Sequence, residues 1–257
     1  MTNHPAANRF EPGHLNTEAW DRVASRDPSD EIEIIPDSVT YAPGGASEAD
    51  LRMCGDVAGK RVLDLGAGNG MNAIALARQG AHVIALDRSA AQIARARKLA
   101  ATTDVRVEWH ESDASDLAFL RADSIDLVLA SGVLGEVEDI DRLLRQVHRV
   151  LRPGAAFVFS YDHPMALAVG REGDAPGALP LGTLEVRRSY FDASPVEVTH
   201  SDERIRVWPR TISEVFASAH RAGYRVELLL EPEPAYSADP GPAIPRVVVW
   251  RARKEGV

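Results

Sequence analysis

Val62-Leu63-Asp64-Leu65-Gly66-Ala67-Gly68-Asn69-Gly70 is the stretch that decides how this 257-residue chain folds. A short apolar run of strand type ends in three glycines at alternate positions, and a helical pattern begins at once behind them. Glycine at a strand-to-helix turn lets the backbone bend sharply and lets a ligand approach where a side chain would block it. In parallel α/β sheets the crevice beyond the carboxyl end of such a strand is a favoured ligand site. The spacing is G-x-G-x-G and Met71 follows, so the turn departs from the G-x-G-x-x-G of dinucleotide binders.

The segments around the turn agree with it. Ala81-His82-Val83-Ile84-Ala85-Leu86-Asp87 reads as a second strand ending in an acid, where a carboxylate can accept hydrogen bonds from both ribose hydroxyls of a nucleoside. Val105 to His110 alternates like a third strand and leads to Ser112-Asp113-Ala114. Ser124 to Gly132 is a fourth apolar run ending in small residues. A helix over 139–151 stops at Leu151-Arg152-Pro153-Gly154, and Ala155 to Ser160 forms a fifth strand. Asn69 and Ser89 are expected to cap helices that reach Gln79 and Ala101. Right-handed crossovers then give a parallel sheet of order 3-2-1-4-5.

These blocks, in this order, resemble the successive motifs of the class I S-adenosylmethionine (SAM)-dependent methyltransferases, closely over roughly residues 50–161 and more loosely to the C-terminus. The resemblance implies an α/β, Rossmann-like class I methyltransferase fold. It has a seven-stranded, mostly parallel sheet, helices on both faces and an insertion after strand five. It implies SAM as cofactor and S-adenosylhomocysteine (SAH) as product. Asp64 would meet the methionine amino group, and Gly66, Ala67, Gly68 and Gly70 would give close backbone approach to the methionine end. Asp87 would take the ribose diol, with the Arg88 stem against adenine. Asp113 would accept from the adenine amino group, and the Ala114 N–H would donate to a ring nitrogen. Ser131 would present a backbone carbonyl to the methionine amino group.

The organisation expected is a flexible tail over 1–16, a helical cap over 17–55, a SAM-binding core over 56–161, a substrate lid over 162–208 and completion of the sheet over 209–257. In the cap, Thr17 and Ser47 are expected to start helices, the second running to Gly55. The lid opens with a Gly/Pro-rich stretch, Gly170 to Gly182, expected to be mobile without ligand. Strand-like alternation follows at Thr183–Phe191, Val196–Thr199 and Arg204–Trp208, with a hairpin link at His200-Ser201-Asp202-Glu203. Thr211 starts a helix that Gly223 stops, and Tyr224–Glu231 and Arg246–Arg253 finish the sheet.

Composition narrows the partners. A formal charge of −9 argues against nucleic acid, since phosphate contacts supply most of that affinity. No apolar run approaches the roughly 20 residues that span a bilayer, so no membrane partner is expected. The N-terminus lacks a signal-type apolar core, which suggests a cytoplasmic protein. One cysteine and eight scattered histidines predict no metal site. The expected partner is a small-molecule methyl acceptor, and nothing indicates an oligomeric state.

The expected function is transfer of a methyl group from SAM to an oxygen or nitrogen of that molecule. The alternatives are a different reaction on this fold, such as a cyclisation, and a non-catalytic SAM-binding protein. His163, in Ser160-Tyr161-Asp162-His163-Pro164 after strand five, is the candidate catalytic base; the competing reading is a residue that shapes the pocket or anchors the loop. Trp20, Tyr41, Tyr161 and His163 are the candidate substrate residues. The acidic cluster Glu136-Val137-Glu138-Asp139 reads as a solvated helix start that could also attract a cationic amine.

Overall fold

A computed structural model describes residues 13–26, 35, 37–42, 46–169, 185–233 and 244–256. Helix α1 spans Gly13–Ser25 and α2 spans Glu48–Leu51. Strand β1 (Arg61–Leu65) runs into the glycine turn, and α3 (Met71–Arg78) leaves it. Then come β2 (His82–Asp87), α4 (Ala90–Ala100), β3 (Val107–Glu111) and β4 (Ile125–Ala130). A single 3-10 turn, Leu134–Glu136, precedes α5 (Ile140–Val150) and β5 (Leu151–Asp162). After β5 the chain makes α6 (Pro164–Ala168) and a separate hairpin, β6 (Val196–His200) and β7 (Glu203–Val207). It returns through α7 (Ile212–Arg221), β8 (Tyr224–Leu230) and β9 (Val247–Lys254).

The main sheet has the order β3-β2-β1-β4-β5-β9-β8. The pairs from β3 to β5 are parallel, and β9 alone runs against its neighbours. Both faces are covered, so the central strands are apolar throughout rather than alternating. On one face Phe157, Phe159 and Tyr161 of β5 pack with Leu143 and Val147 of α5 and Val215 and Ala219 of α7. On the other, Val62, Val83 and Val158 pack with Ala73 and Leu76 of α3 and with Val39, Tyr41 and Met53. Each large apolar side chain so buried contributes roughly 1.5–3 kcal/mol.

Local chemistry sets the helix ends. The Ser89 hydroxyl accepts from Gln92 N–H, the Asp139 carboxylate from Arg142 N–H and the Thr211 hydroxyl from Glu214 N–H. Gly80 and Gly223, at φ 88° and 85°, take the left-handed conformation past α3 and α7. The hairpin turn is Ser201-Asp202, with φ 46° and 60°; two left-handed residues match the twist of a two-residue β-hairpin.

Several expectations are corrected. Gly70, not Asn69, occupies the N-cap of α3, because its left-handed φ of 86° makes the bend. The first helix starts at Gly13, upstream of Thr17. The second ends at Leu51, since Arg52 turns left-handed at φ 52°. Strand five begins at Leu151, running through the Pro-Gly pair expected to precede it. Over 185–191 the expected strand reduces to turns and one bridge, Val169 with Val186. The Gly170 to Gly182 stretch, most of the expected tail, Glu31 to Ile34 and Pro43 to Gly45 lie outside the described residues. Among the described residues no helix is long and apolar enough to cross a membrane.

Candidate functional site

One cavity of about 250 Å³ opens at the carboxyl edge of the sheet, where β1 and β4 separate their crossovers to opposite sides. Its first wall is Gly66, Gly68, Leu86, Asp87, Arg88, Gln92, Ser112 and Ala114. Its second is Trp20 from α1, Glu136 from the 3-10 turn, Asp162 from the end of β5, and Val198, His200, Ile205 and Val207 from the hairpin. Ser131, Gly132 and Val133 form the floor between them.

The three glycines of the turn do different work. A Cβ on Gly66 would lie 2.4 Å from Val133 Cγ2, and one on Gly70 would lie 2.6 Å from the Trp109 ring. A Cβ on Gly68 would meet nothing within 4 Å. Gly66 and Gly70 are therefore required by packing, whereas Gly68 borders open space suited to a ligand. Ala67 N–H bonds Leu86 O at 2.9 Å, which holds the turn against β2. Ala67 and Gly70 do not line the cavity; they support the residues that do.

Asp87 closes the first wall. Its Oδ2 accepts from Gly68 N–H and its Oδ1 from Ser89 N–H, each at 2.9 Å. Each oxygen keeps a further lone pair, so the carboxylate is oriented and still able to accept. Burial pushes its carboxyl up, against the two N–H bonds and the Arg88 charge. Asp64 lies behind the turn, 1% exposed, and its Oδ2 has no hydrogen-bond partner. Burial, with Asp87 nearby, pushes its carboxyl up to about 8. A buried carboxylate oxygen without a donor is costly, and a cationic ammonium at the turn would satisfy it.

Asp113 stands outside the lining. Burial pushes its carboxyl up, but the Ser115 hydroxyl and N–H, at 2.6 and 2.8 Å, outweigh this and hold it below its ordinary range. Arg88 reaches its other oxygen at 3.4 Å. Ser131 lines the floor, and its hydroxyl donates to Thr40 O at 2.8 Å.

Of the four candidate substrate residues, Trp20 alone lines the cavity. Tyr41 is fully buried in the core, its hydroxyl on Glu48 and Cys54. Tyr161 is buried 4% exposed with Phe157 and Phe159, because alternation along β5 turns it to the α5 face and leaves Asp162 for the cavity. His163 lies outside the lining and is committed at both nitrogens. Nδ1 accepts from Met165 N–H at 3.1 Å, capping α6, and Nε2 faces Glu231 Oε1 at 2.7 Å. With Nδ1 accepting, the ring proton sits on Nε2 and donates to Glu231, so no lone pair is free.

The second wall brings in Asp162 and His200 and also Glu136, which is held in the cavity wall rather than standing at a solvated helix start. Glu136 Oε2 accepts from Trp20 Nε1 at 2.9 Å and Asn16 Nδ2 at 3.1 Å. Burial pushes its carboxyl up to about 7, against those two donors. The surrounding protein also raises Asp162. His200 lies over Trp20 with ring centroids 4.9 Å apart, and burial lowers its pKa. The signal available in the sequence was positional. Glu136 and Asp162 follow closely on the ends of two central strands, and His200 alternates with Val198 on one face of a hairpin.

A parallel α/β sheet with a glycine turn, a strand-end acid and a cavity between them defines a nucleoside-type ligand-binding protein of Rossmann-like class. Comparison with known proteins narrows this. A family model described as a methyltransferase domain matches residues 63–159. A solved S-adenosylmethionine-dependent methyltransferase from Mesorhizobium loti is 30% identical, with a TM-score of 0.63, over 79% of this chain and 94% of that one. A demethylmenaquinone methyltransferase of Clavibacter sepedonicus is 35% identical over 63% of this chain and 64% of its own length. A ubiquinone biosynthesis O-methyltransferase of Hahella chejuensis is 36% identical over 40% and 43%. The chain thus spans from two fifths to just under two thirds of the length of these curated relatives. The chain belongs to the family of SAM-dependent methyltransferases.

Proposed function

We propose that this protein transfers a methyl group from SAM to an oxygen or nitrogen of a small molecule. One observation carries the reading: the cleft beside Gly68 and Asp87 is continuous with a pocket walled by Trp20, the hairpin and Asp162. The two curated relatives, named for demethylmenaquinone and for O-methylation in ubiquinone biosynthesis, support a small-molecule acceptor.

In this reading Asp64 holds the methionine ammonium beside Gly66, Ala67 and Gly68, and the Ser131 carbonyl takes a second ammonium proton. Asp87 takes the ribose diol. The Arg88 stem packs against adenine, the Asp113 carboxylate accepts from its amino group, and Ala114 N–H donates to a ring nitrogen. When bound, SAM supplies a methyl carbon already activated by its sulfonium and a neutral thioether leaving group. The walls hold the acceptor against that carbon and exclude water, an arrangement that can supply roughly 7–11 kcal/mol of the barrier. His163 anchors the end of β5 rather than moving a proton, and α1 with the hairpin covers the acceptor.

Calorimetry with SAM, SAH and NAD tests the cofactor reading: SAM and SAH should bind and NAD should not. Incubation with methyl-labelled SAM and a small-molecule extract should yield a labelled product. Binding of NAD in preference to SAM would overturn the proposal.

A further inference from the structure

The second wall of the cavity presents hydrogen-bond acceptors, and apart from the N–H of His200 itself its side-chain donors among the described residues are already in use. Among the described residues, neither ring nitrogen of His200 has a hydrogen-bond partner, and burial lowers its pKa, which favours the neutral ring with one N–H and one bare nitrogen. The charged groups that share this wall of the cavity with it are acids. Glu136 and Asp162 share the cavity, and Glu203 stands opposite His200 across the hairpin, paired with Arg22 and Arg26 of α1. The indole N–H of Trp20 is taken by Glu136 and the Ser131 hydroxyl by Thr40. Arg88, the arginine of the cavity lining, is held by Asp113. The rest of the wall is aliphatic or aromatic.

We propose that the methyl acceptor is an apolar, ring-sized molecule without an anionic group, held by donating the hydrogen of its hydroxyl or amine to His200 while its ring packs against Trp20. This deepens the methyltransferase reading and rests on it. A wall of acceptors leaves an incoming donor satisfied. The same wall sets a carboxylate or phosphate against Glu136 and Asp162 with only the neutral His200 N–H to offer it, and such like-charge juxtaposition is strongly unfavourable. Methylation of a hydroxyl forms the O–CH3 bond, breaks the S–CH3 bond of SAM and releases the hydroxyl proton by way of His200 to solvent, so the ether product loses the bond to His200 and is held less tightly than the acceptor, whereas a primary amine would keep one N–H.

The test is binding to the SAH-loaded protein, by calorimetry, of naphthol, its methyl ether and naphthoate. Naphthol should bind about three- to tenfold more tightly than its methyl ether, the ratio of one neutral hydrogen bond, and naphthoate more weakly than both. His200→Phe keeps a ring on Trp20 and removes the acceptor; it should erase the difference between naphthol and ether while SAH affinity and the melting temperature hold. Equal binding of the three probes, tightest binding of naphthoate, a preference that survives in His200→Phe, or no binding of any probe would each overturn the inference. Failure of SAH itself to bind would instead remove the methyltransferase reading beneath it.

Discussion

Gly68→Ala and Gly70→Ala separate ligand approach from packing within one turn. Both glycines are left-handed, with φ 54° and 86°, so alanine at either costs roughly 1–2 kcal/mol of backbone strain. At Gly68 the added methyl meets no protein atom, and strain is the whole stability effect. That lowers Tm by about 2–8 °C for a chain of this size. At Gly70 the methyl arrives 2.6 Å from Trp109 and 2.9 Å from Ala96 Cβ. Overpacking of this kind adds typically about 1–3 kcal/mol, and the Tm loss grows to about 4–20 °C. Binding runs the other way. Gly68 borders the cavity and Gly70 does not, so Gly68→Ala should weaken SAM at least tenfold, about 1.4 kcal/mol. Gly70→Ala should bind SAM nearly normally at temperatures where it is folded. Thermal melts and SAM calorimetry on both variants decide it. Wild-type affinity in Gly68→Ala together with lost affinity in folded Gly70→Ala would refute the division of labour drawn from the turn.

Other perturbations have definite signs. Asp87→Ala removes the acceptor proposed for the ribose and should weaken SAM roughly ten- to a thousandfold, about 1.4–4 kcal/mol for the diol's charge-assisted bonds together; an unchanged Kd would refute that assignment. His163→Ala should leave SAM affinity intact and cost about 0.5–2 kcal/mol of stability, the loss of a helix cap, read by denaturant melts. Asp64 has its folded pKa raised to about 8, against about 3.9 unfolded, so between these values the folded state holds a proton that the unfolded chain lacks. The stability from this group is full below the unfolded value and is lost as pH rises through that window; Asp64→Asn should flatten the decline. At neutral pH, binding of the SAM ammonium should then expel that proton, seen as a buffer-dependent calorimetric heat absent in Asp64→Asn.

The sheet order and the glycine turn with its strand-end acid were legible because they rest on local chemistry repeated along the chain. Each parallel strand is an apolar run closed by a glycine or an acid, and the helices between carry readable caps at Ser89, Asp139 and Thr211. The second wall of the cavity was less legible because it is assembled from four elements distant in the chain. Trp20 and Glu136 meet across 116 residues, and no local pattern encodes that contact. Tyr41 and Tyr161 look like cavity residues by type and position. Tertiary packing decides otherwise, since Tyr161 shares its β5 face with Phe157 and Phe159, and the Tyr41 hydroxyl finds Glu48 in the interior. His163 satisfied every sequence criterion for a base except one that only coordinates supply, a free nitrogen.

Helix α1 joins the two walls, and the strengths of its ties differ. Asp21 accepts from the Ser89 hydroxyl at 2.5 Å, next to Asp87, and Arg22 and Arg26 reach Glu203 on the hairpin. Trp20 and Asn16 bind Glu136 in the middle, and Asn16 also takes Arg206 N–H and donates to Arg206 O, each at 2.8 Å, like a short length of strand. The arginine pairs are solvent-accessible, and exposed ion pairs of this kind contribute about 0–1 kcal/mol each. The bonds to Glu136 are charge-assisted and screened from water, and breaking them would strand a carboxylate already held near neutrality by burial. Opening α1 is therefore governed by Glu136 and Asn16 rather than by the more conspicuous arginines. Burial raises the Glu136 carboxyl to about 7 with α1 in place, above its ordinary solvated value, so the closed arrangement holds a proton that an opened one lacks, and the helix is released more readily as pH rises through about 7.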